Sequence, residues 1–278
     1  LSTGGRQMSA QAENQHHGSI DEWLVPLAFI IPAAWVVWRV PGFILAFGGG
    51  TDSMGNRYPN AGVLDWIALA LLPIVFIFGL RTVKRAPMEF EDWGAFDRVS
   101  VFIGRVTMLL VVILVAVMGY EVFMRYVIEA PTVWATELSL WIAGFIFLFS
   151  GLYAMQQRSH IRIFLLYDIL PRGLQKLCDT ISAVLIVVFA IALIYGGYGE
   201  AHDKFLRWET FGTAFDPPIP ATLKPLVLII VSLVAVQAVV NLISDWNRAP
   251  EHHTAADDID EAEIAKMKKI LGSDDANV

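Results

Sequence analysis

The sequence predicts an all-α polytopic membrane protein with six transmembrane helices. Of its 278 residues, 56% are hydrophobic and only 17% are charged, and the mean hydropathy is +0.56. Soluble domains contain nearer a quarter charged residues, whereas a helix needs about 20 mostly apolar residues to cross a bilayer. Six stretches of the sequence meet that requirement. We therefore expect a helical bundle surrounded by lipid.

The first two spans form a predicted hairpin within residues 23–85, after a polar cytoplasmic tail at residues 1–22. The first span runs from Trp23 to about Phe47, and the second from Val63 to Leu80. Asp21 could cap the first span, and Pro26 would fall in its first turn, where a missing N–H costs little. Pro32 should kink this helix. Arg39 followed by Pro41 should interrupt its far end, where the long side chain of Arg39 can reach the interface.

Two polar connectors flank the second span. The glycine-rich residues 48–60 predict a periplasmic loop, because no strand precedes them and no Lys-Ser/Thr pair follows, as a phosphate-binding loop would need. Residues 86–100 alternate acidic and aromatic side chains, which favours an amphipathic connector in the membrane interface. A plain cytoplasmic connector remains an equal alternative.

Residues 101–246 predict a four-helix domain, and residues 247–278 an acidic cytoplasmic tail. The four spans are Val101 to Tyr126, Trp134 to Met155, Leu177 to Tyr198 and Leu223 to about Ile243. A longer polar loop, Glu200 to Pro220, should separate the last two. Indole rings favour the membrane interface, so three tryptophans are predicted interfacial anchors: Trp93, Trp134 and Trp208.

The distribution of charge predicts that both termini are cytoplasmic. Lysine and arginine cluster after the second and fourth spans, which favours the cytoplasmic side for those loops. The loop between the last two spans, with Lys204 and Arg207, fits less well. From residue 249 onward, eight acids and three lysines give −5 of the total charge of −7. The remainder is nearly neutral, which argues against a nucleic-acid partner.

Three charged residues near the periplasmic face form a predicted cluster: Glu121, Arg125 and Glu137. Glu121 precedes Arg125 by four residues, a favourable helical spacing, and Glu137 lies in the first turn of its span. A carboxylate in a span is costly unless it is paired, so the cluster is either an ion relay or a structural ion pair. The structural interpretation is favoured, because the other spans supply no chain of ionisable groups.

Nothing in the sequence indicates catalysis, a metal site or a bound cofactor. A membrane haem requires histidines within spans, whereas His160 and His202 both lie outside them. The single cysteine, Cys178, excludes an intrachain disulfide and a cysteine-rich metal site. We therefore expect a protein that is not an enzyme.

An ordered set of short motifs resembles the DctQ-type small membrane subunit of tripartite ATP-independent periplasmic (TRAP) transporters. In chain order the motifs are Glu121-Val-Phe-Met-Arg-Tyr-Val, Pro131, Trp134-Ala-Thr-Glu-Leu, a long apolar span, His160-Ile-Arg-Ile and Leu170-Pro171. The resemblance covers about Val101 to Trp246, including a predicted cytoplasmic loop motif of Arg158, His160 and Arg162. The family usually has Asp where Phe164 stands, so a role for that acid does not transfer.

The resemblance implies an accessory subunit in a bacterial inner membrane. Its expected partners are a large permease subunit, which would bind sodium and substrate, a periplasmic solute-binding protein and membrane lipids. The small subunit would brace the large one during uptake of an organic acid or similar solute. The extra N-terminal hairpin departs from the usual four helices.

The sequence leaves two other functions open. One is a membrane anchor subunit of a redox complex, which the lack of histidines within spans disfavours. The other is a stand-alone secondary transporter, which the scarcity of polar residues at mid-membrane depth disfavours.

Overall fold

The computed structural model describes residues 20–50, 52–84, 86, 89, 93–158 and 170–246. Within these ranges the protein is all-helical, which confirms the predicted fold class. The helices are α1 (Ile20–Ala46), α2 (Asp52–Arg57), α3 (Val63–Thr82), α4 (Ala95–Tyr126), α5 (Val133–Gln156), α6 (Arg172–Leu206) and α7 (Ile219–Asp245). All except the short α2 are long and apolar enough to cross a membrane, in agreement with the six predicted spans.

The long helices pack side by side in the order α3, α1, α4, α5, α7 and α6. Long helices that follow one another in the chain form three hairpins: α1 with α3, α4 with α5, and α6 with α7. The first hairpin packs mainly through α1 against α4, and α5 packs against α7. Many large apolar side chains remain exposed along the outer faces, as expected where lipid replaces water as the solvent. The N-terminal hairpin is packed against the four-helix region through the contact between α1 and α4.

The loops divide the bundle into two ends. The Glu137 end contains the turns that follow α1, α4 and α6. The Arg158 end contains the start of α1, the connection from α3 to α4, the end of α5, the start of α6 and the end of α7. Polar contacts between helices concentrate at these two ends.

Several boundaries differ from those predicted. Helix α1 begins at Ile20 and passes Pro41, so Pro26 lies inside the helix and not in its first turn. The predicted loop at residues 48–60 contains α2, whose residue Met54 is buried against the protein. Helix α6 continues to Leu206, which shortens the predicted polar loop.

Helix α4 begins at Ala95, six residues before the predicted start of its span. The carboxylate of Asp97 accepts a hydrogen bond from the N–H of Gly94 at 2.7 Å. This bond satisfies a backbone donor at the helix start, so polar residues can form the first turns outside the apolar segment.

Glycines allow close approach where α4 and α5 cross. A Cβ added at Gly104 of α4 would lie 2.4 Å from Cδ2 of Tyr153 in α5, too short for any real contact. Small residues at helix contacts let membrane helices pack by van der Waals forces, since lipid supplies no hydrophobic driving force between them. Gly104 therefore positions the ring of Tyr153 within the bundle.

Several sequence predictions fall outside the described residues. These are residues 1–19 of the polar N-terminal tail, residues 87, 88 and 90–92 of the connector, His160, Arg162 and the acidic tail at residues 247–278. They stay predictions.

Candidate functional site: polar contacts at the two ends of the helix bundle

Glu121 closes the turn between α4 and α5. Glu121 is 3% exposed. Its Oε1 accepts two hydrogen bonds from Arg125, one from Nη2 at 2.6 Å and one from Nε at 3.1 Å. Oε2 accepts one from the backbone N–H of Thr132 at 3.1 Å and another from the Thr132 hydroxyl. Thr132 directly precedes α5. A buried carboxylate with this many donors is stabilised in its charged form and fixes the start of the next helix.

Glu137 does not join Glu121 and Arg125. Its Oε2 accepts hydrogen bonds from the Thr213 hydroxyl at 2.6 Å and from the backbone N–H of Asp216 at 3.1 Å. The predicted three-residue cluster is thus divided in two: an ion pair that fixes the α4–α5 turn, and a carboxylate that ties α5 to the loop before α7. The reason is the loop at residues 207–218, which supplies Glu137 with donors.

The same loop binds the N-terminal region. Asp216 Oδ2 accepts a hydrogen bond from Arg57 Nη2 at 2.9 Å, and Oδ1 accepts one from the N–H of Gly212 at 2.7 Å. Burial raises the pKa of Asp216, but the bonds from Gly212, Thr210 and Arg57 outweigh burial and hold the pKa below its ordinary value. The carboxylate is therefore ionised at neutral pH.

A small apolar cluster also joins α2 to the loop at residues 207–218. Met54, Trp208 and Ala221 are buried together, and five partly buried residues pack around them: Val40, Ile44, Leu45, Tyr58 and Phe205. Nearby, the rings of Trp38 and Phe215 stack with centroids 5.9 Å apart. α2 and the end of α1 are thus joined to the 207–218 loop by apolar contacts as well as by an ion pair.

Arg39 and Asp65 join α1 to α3. Nε of Arg39 donates to Oδ1 of Asp65 at 3.1 Å and Nη2 donates to Oδ2 at 2.9 Å, a bidentate pair. Trp35 Nε1 and the N–H of Gly62 also donate to this carboxylate, which is 4% exposed. That Arg39 can reach the interface stays a prediction; within the protein its guanidinium pairs with a carboxylate on the neighbouring helix.

At the Arg158 end, Gln237 of α7 is the centre of a buried polar network. Its Oε1 accepts from Ser100 Oγ at 2.8 Å, and its Nε2 donates to Asp97 Oδ1 at 2.7 Å and to Asn241 Oδ1 at 2.8 Å. Nδ2 of Asn241 donates to the Met155 carbonyl at 2.7 Å. Gln237 itself is fully buried. Helices α4, α5 and α7 therefore share one satisfied network, which fixes their relative register.

Glu89 joins the α3–α4 connector to two helices. Its Oε2 accepts from Arg105 Nη2 at 2.8 Å and from the N–H of Ala86 at 2.7 Å, while Oε1 accepts from the Tyr153 hydroxyl at 2.7 Å. Glu89 is 6% exposed. The bond from Tyr153 also holds the ring that packs against Gly104.

Arg158 is the described member of the predicted loop motif. It forms a bidentate pair with Asp245 at the end of α7, with Nε–Oδ2 and Nη2–Oδ1 distances of 2.6 and 2.9 Å. Nη2 of Arg172, at the start of α6, donates to the Asp245 carbonyl at 3.0 Å. Lys176 lies over the ring of Trp246, 4.9 Å from its centroid. These contacts tie the ends of α5, α6 and α7 together.

The three predicted tryptophan anchors lie in different environments. Trp134 is 38% exposed and packs against Tyr120, with centroids 5.6 Å apart. Trp208 is 5% exposed, within the apolar cluster with Met54. The Trp93 indole N–H is buried and has no hydrogen-bond partner in the part of the chain that the structure describes. An interfacial role for these side chains stays a prediction.

His202 lies at the Glu137 end, on the last turns of α6. Its ring stacks on Tyr198 with centroids 5.7 Å apart, and Nδ1 lies 3.6 Å from Asp203. Within the described ranges, no group of three or more His, Cys, Asp or Glu side chains is arranged to hold a metal ion.

Sequence reasoning missed most of the Arg158-end contacts. The available signal was a stripe of polar residues at helical spacing on the last span, namely Gln237, Asn241 and Asp245. Residues four apart lie on one face of a helix, so a polar stripe in an apolar span predicts a buried partner. The partners Ser100 and Asp97 lie in turns that were assigned to the connector.

The comparisons with known proteins agree with this architecture. Residues 114–248 match the family described as tripartite ATP-independent periplasmic transporters, DctQ component. We refer to residues 114–248 as the DctQ-type region because of this similarity. The match covers α4 from residue 114 onward and all of α5, α6 and α7, whereas the N-terminal hairpin lies outside it.

A curated relative supports the same assignment. The chain is 25% identical over 150 residues to a protein of Vibrio cholerae named C4-dicarboxylate TRAP transporter small permease protein DctQ. The alignment covers 52% of this chain and 63% of that protein, less than two thirds of its length. No solved structure matches the chain.

The polar contacts of the DctQ-type region connect helices to each other. Glu121, Glu137 and Gln237 each have hydrogen-bond partners on neighbouring elements of the same chain. In this arrangement the polar groups can fix helix positions and define a rigid bundle.

Proposed function

We propose that this protein is the small permease subunit of a TRAP transporter, and that it braces a large transport subunit in the membrane. The observation that carries the proposal is the DctQ-type region at residues 114–248, which includes three of the six long helices and the end of a fourth. The polar contacts support a bracing role, because buried satisfied networks hold packed helices in one arrangement. On this proposal, sodium and solute bind to the large subunit.

The solute is proposed to be an organic acid or similar anion delivered by a periplasmic binding protein. The name of the Vibrio cholerae relative, which refers to C4-dicarboxylates, supports this class for the present chain. The proposed location is a bacterial inner membrane with both termini in the cytoplasm. That orientation agrees with the basic residues at the Arg158 end, which include Arg158, Arg172 and Lys176.

The N-terminal hairpin is proposed to enlarge the rigid bundle. It packs against α4, and its short helix α2 is joined to the loop before α7 through Arg57 and Asp216. Because the hairpin contacts the rest of the bundle through both a transmembrane helix and its loop, it moves with the bundle. It can therefore widen the surface that supports a partner subunit.

Reconstituted transport tests the proposal. The large subunit and the binding protein would be placed in proteoliposomes with and without this chain, and uptake of a radiolabelled C4-dicarboxylate would be followed under a sodium gradient. We expect uptake to require the chain. Full sodium-driven uptake in its absence would contradict the bracing role.

A second measurement separates bracing from an ion relay. Glu137→Ala and Arg125→Ala should weaken co-purification with the large subunit more than they change the solute concentration that gives half-maximal uptake. A normal assembled complex with an altered sodium-to-solute ratio would favour the relay instead.

A further inference from the structure

A groove at the Arg158 end lies between the N-terminal hairpin and α4. It has a volume of about 560 Å³ and is formed by the start of α1, the end of α3 and the first turns of α4. Its apolar lining includes Val25, Pro26, Phe78 and Phe102. The polar contacts described above do not fill it, and it lies outside the residues that match the DctQ family.

The groove is lined by three cationic side chains, Arg81, Lys84 and Arg105, and one carboxylate, Glu22. Arg105 is committed to Glu89 and also donates to the Lys84 carbonyl at 3.3 Å. Arg81 and Lys84 are exposed and have no ion-pair partner among the described residues. Within the part of the chain that the structure describes, two exposed cations without an ion-pair partner thus lie beside an apolar groove.

The floor of the groove is rigid. Gly79 of α3 packs so closely on Phe102 of α4 that an added Cβ would lie 2.3 Å from the ring, and Phe102 is 1% exposed. Phe29 and Phe76 pack edge-on against the same ring, each with centroids 5.6 Å away. The apolar floor of the groove is therefore already in place before a ligand binds, which reduces the entropy lost in ordering that part of the site.

We propose that this groove binds an anionic phospholipid, with its phosphate at Arg81 and Lys84 and its acyl chains along the apolar lining. A phospholipid matches both the cationic and the apolar lining of the groove, whereas a soluble anion would leave the apolar side chains of Val25 and Phe78 uncovered. Phe78 is 55% exposed on the outer face, so the groove continues onto the lipid-facing surface. Positive charge near span ends is predicted to lie on the cytoplasmic side, where anionic lipids attract basic residues.

Native mass spectrometry of the purified full-length chain tests the proposal. The protein would be equilibrated in mixed micelles with equal amounts of phosphatidylglycerol and phosphatidylcholine of the same acyl chains. We expect preferential retention of phosphatidylglycerol, and Arg81→Gln and Lys84→Gln should each lower that retention about fivefold, the contribution of one basic residue near an anionic surface.

Arg98→Gln is the matched control. Arg98 is an exposed cation at the same end of the bundle, where it reaches the Leu80 carbonyl at 3.5 Å, but it does not line the groove. Its replacement should leave phosphatidylglycerol retention unchanged. An equal loss in Arg98→Gln would overturn a specific site, because it would indicate attraction to the positive surface as a whole. Circular dichroism of each variant would verify that the helices are intact.

Two further measurements identify the molecule that binds in the groove. Inorganic phosphate at millimolar concentration should not displace the lipid, and displacement would show that a soluble anion is the ligand. Co-purification with the large permease subunit should be the same for wild type and Arg81→Gln. If the variant lost the subunit while lipid retention stayed normal, the groove would be a protein-docking surface and the lipid proposal would be wrong.

Discussion

Arg57 and Asp216 lie 159 residues apart in the chain, and their side chains form an ion pair of 2.9 Å between the N-terminal region and the loop before the last helix. The backbone N–H of Asp216 donates to Glu137 of α5. One short segment thus contacts both the added hairpin and the DctQ-type region. The two parts of the chain are therefore joined at the Glu137 end by direct contacts, in addition to the packing of α1 on α4.

Replacing Asp216 with Asn should weaken this junction in a pH-dependent way. Its pKa is lower in the folded protein than the ordinary value of 3.8. A lowered pKa contributes stability that is present above the ordinary value and is lost as the pH falls through the folded value. Asp216→Asn should therefore lower the apparent melting temperature in detergent at pH 7, and the difference from wild type should shrink at pH values below 3.8.

The effect of Asp216→Asn should be small, because Arg57 is 61% exposed and exposed ion pairs contribute about 0.2–1 kcal/mol. Lys224→Gln is the control, since Lys224 pairs with Glu200 on the adjacent helices α6 and α7 and does not contact α2. Limited proteolysis of the 47–62 loop would report on the junction itself. Equal cleavage of wild type and Asp216→Asn would contradict a junction that restrains this loop.

Glu121→Ala should destabilise the protein more than Arg125→Ala. The Glu121 side chain is 4% exposed and accepts bonds from Thr132 as well as from Arg125, whose side chain is 48% exposed. Losing Glu121 removes every one of these bonds, whereas losing Arg125 leaves a carboxylate that still has the Thr132 donors. Unfolding by sodium dodecyl sulphate, followed by far-ultraviolet circular dichroism, measures the order. A larger loss of stability in Arg125→Ala would show that the ion pair contributes more to stability than the hydrogen bonds from Thr132.

The positions of the spans could be predicted from sequence because lipid imposes a single requirement, an apolar run of sufficient length. The pairing of polar residues could not, because it depends on which helices become neighbours. Glu121 and Arg125 pair within one helix, so their spacing was enough. Arg39 with Asp65 and Glu137 with Thr213 pair across elements, and periodicity carries no information on that choice.

Gln237→Leu should destabilise the bundle by about 1–3 kcal/mol, the cost of leaving buried polar partners unsatisfied. The partners left without Gln237 would be the Ser100 hydroxyl, the Asp97 carboxylate and the Asn241 side-chain oxygen. Adding Ser100→Ala should recover part of the loss, because one unsatisfied group disappears. A double-mutant cycle by detergent unfolding measures this coupling, and strictly additive effects would contradict a shared network.

Gly104→Ala should reduce the stability of the protein and Gly119→Ala should not, although both glycines lie in α4. An added Cβ at Gly104 would lie 2.4 Å from the Tyr153 ring, whereas nothing lies within 4 Å of one at Gly119. The Tyr153 ring cannot move away freely, because its hydroxyl is bonded to buried Glu89. Gly104→Ala should therefore push α4 and α5 apart and reduce stability.

At Gly119 the same substitution meets no atom, and alanine favours a helix over glycine by up to about 1 kcal/mol. Gly119→Ala should thus leave stability unchanged or raise it. Adding Tyr153→Leu to Gly104→Ala should restore part of the stability, because a smaller, flexible side chain leaves room for the new methyl group. If both glycine variants behave alike, close contact at Gly104 does not hold α4 against α5.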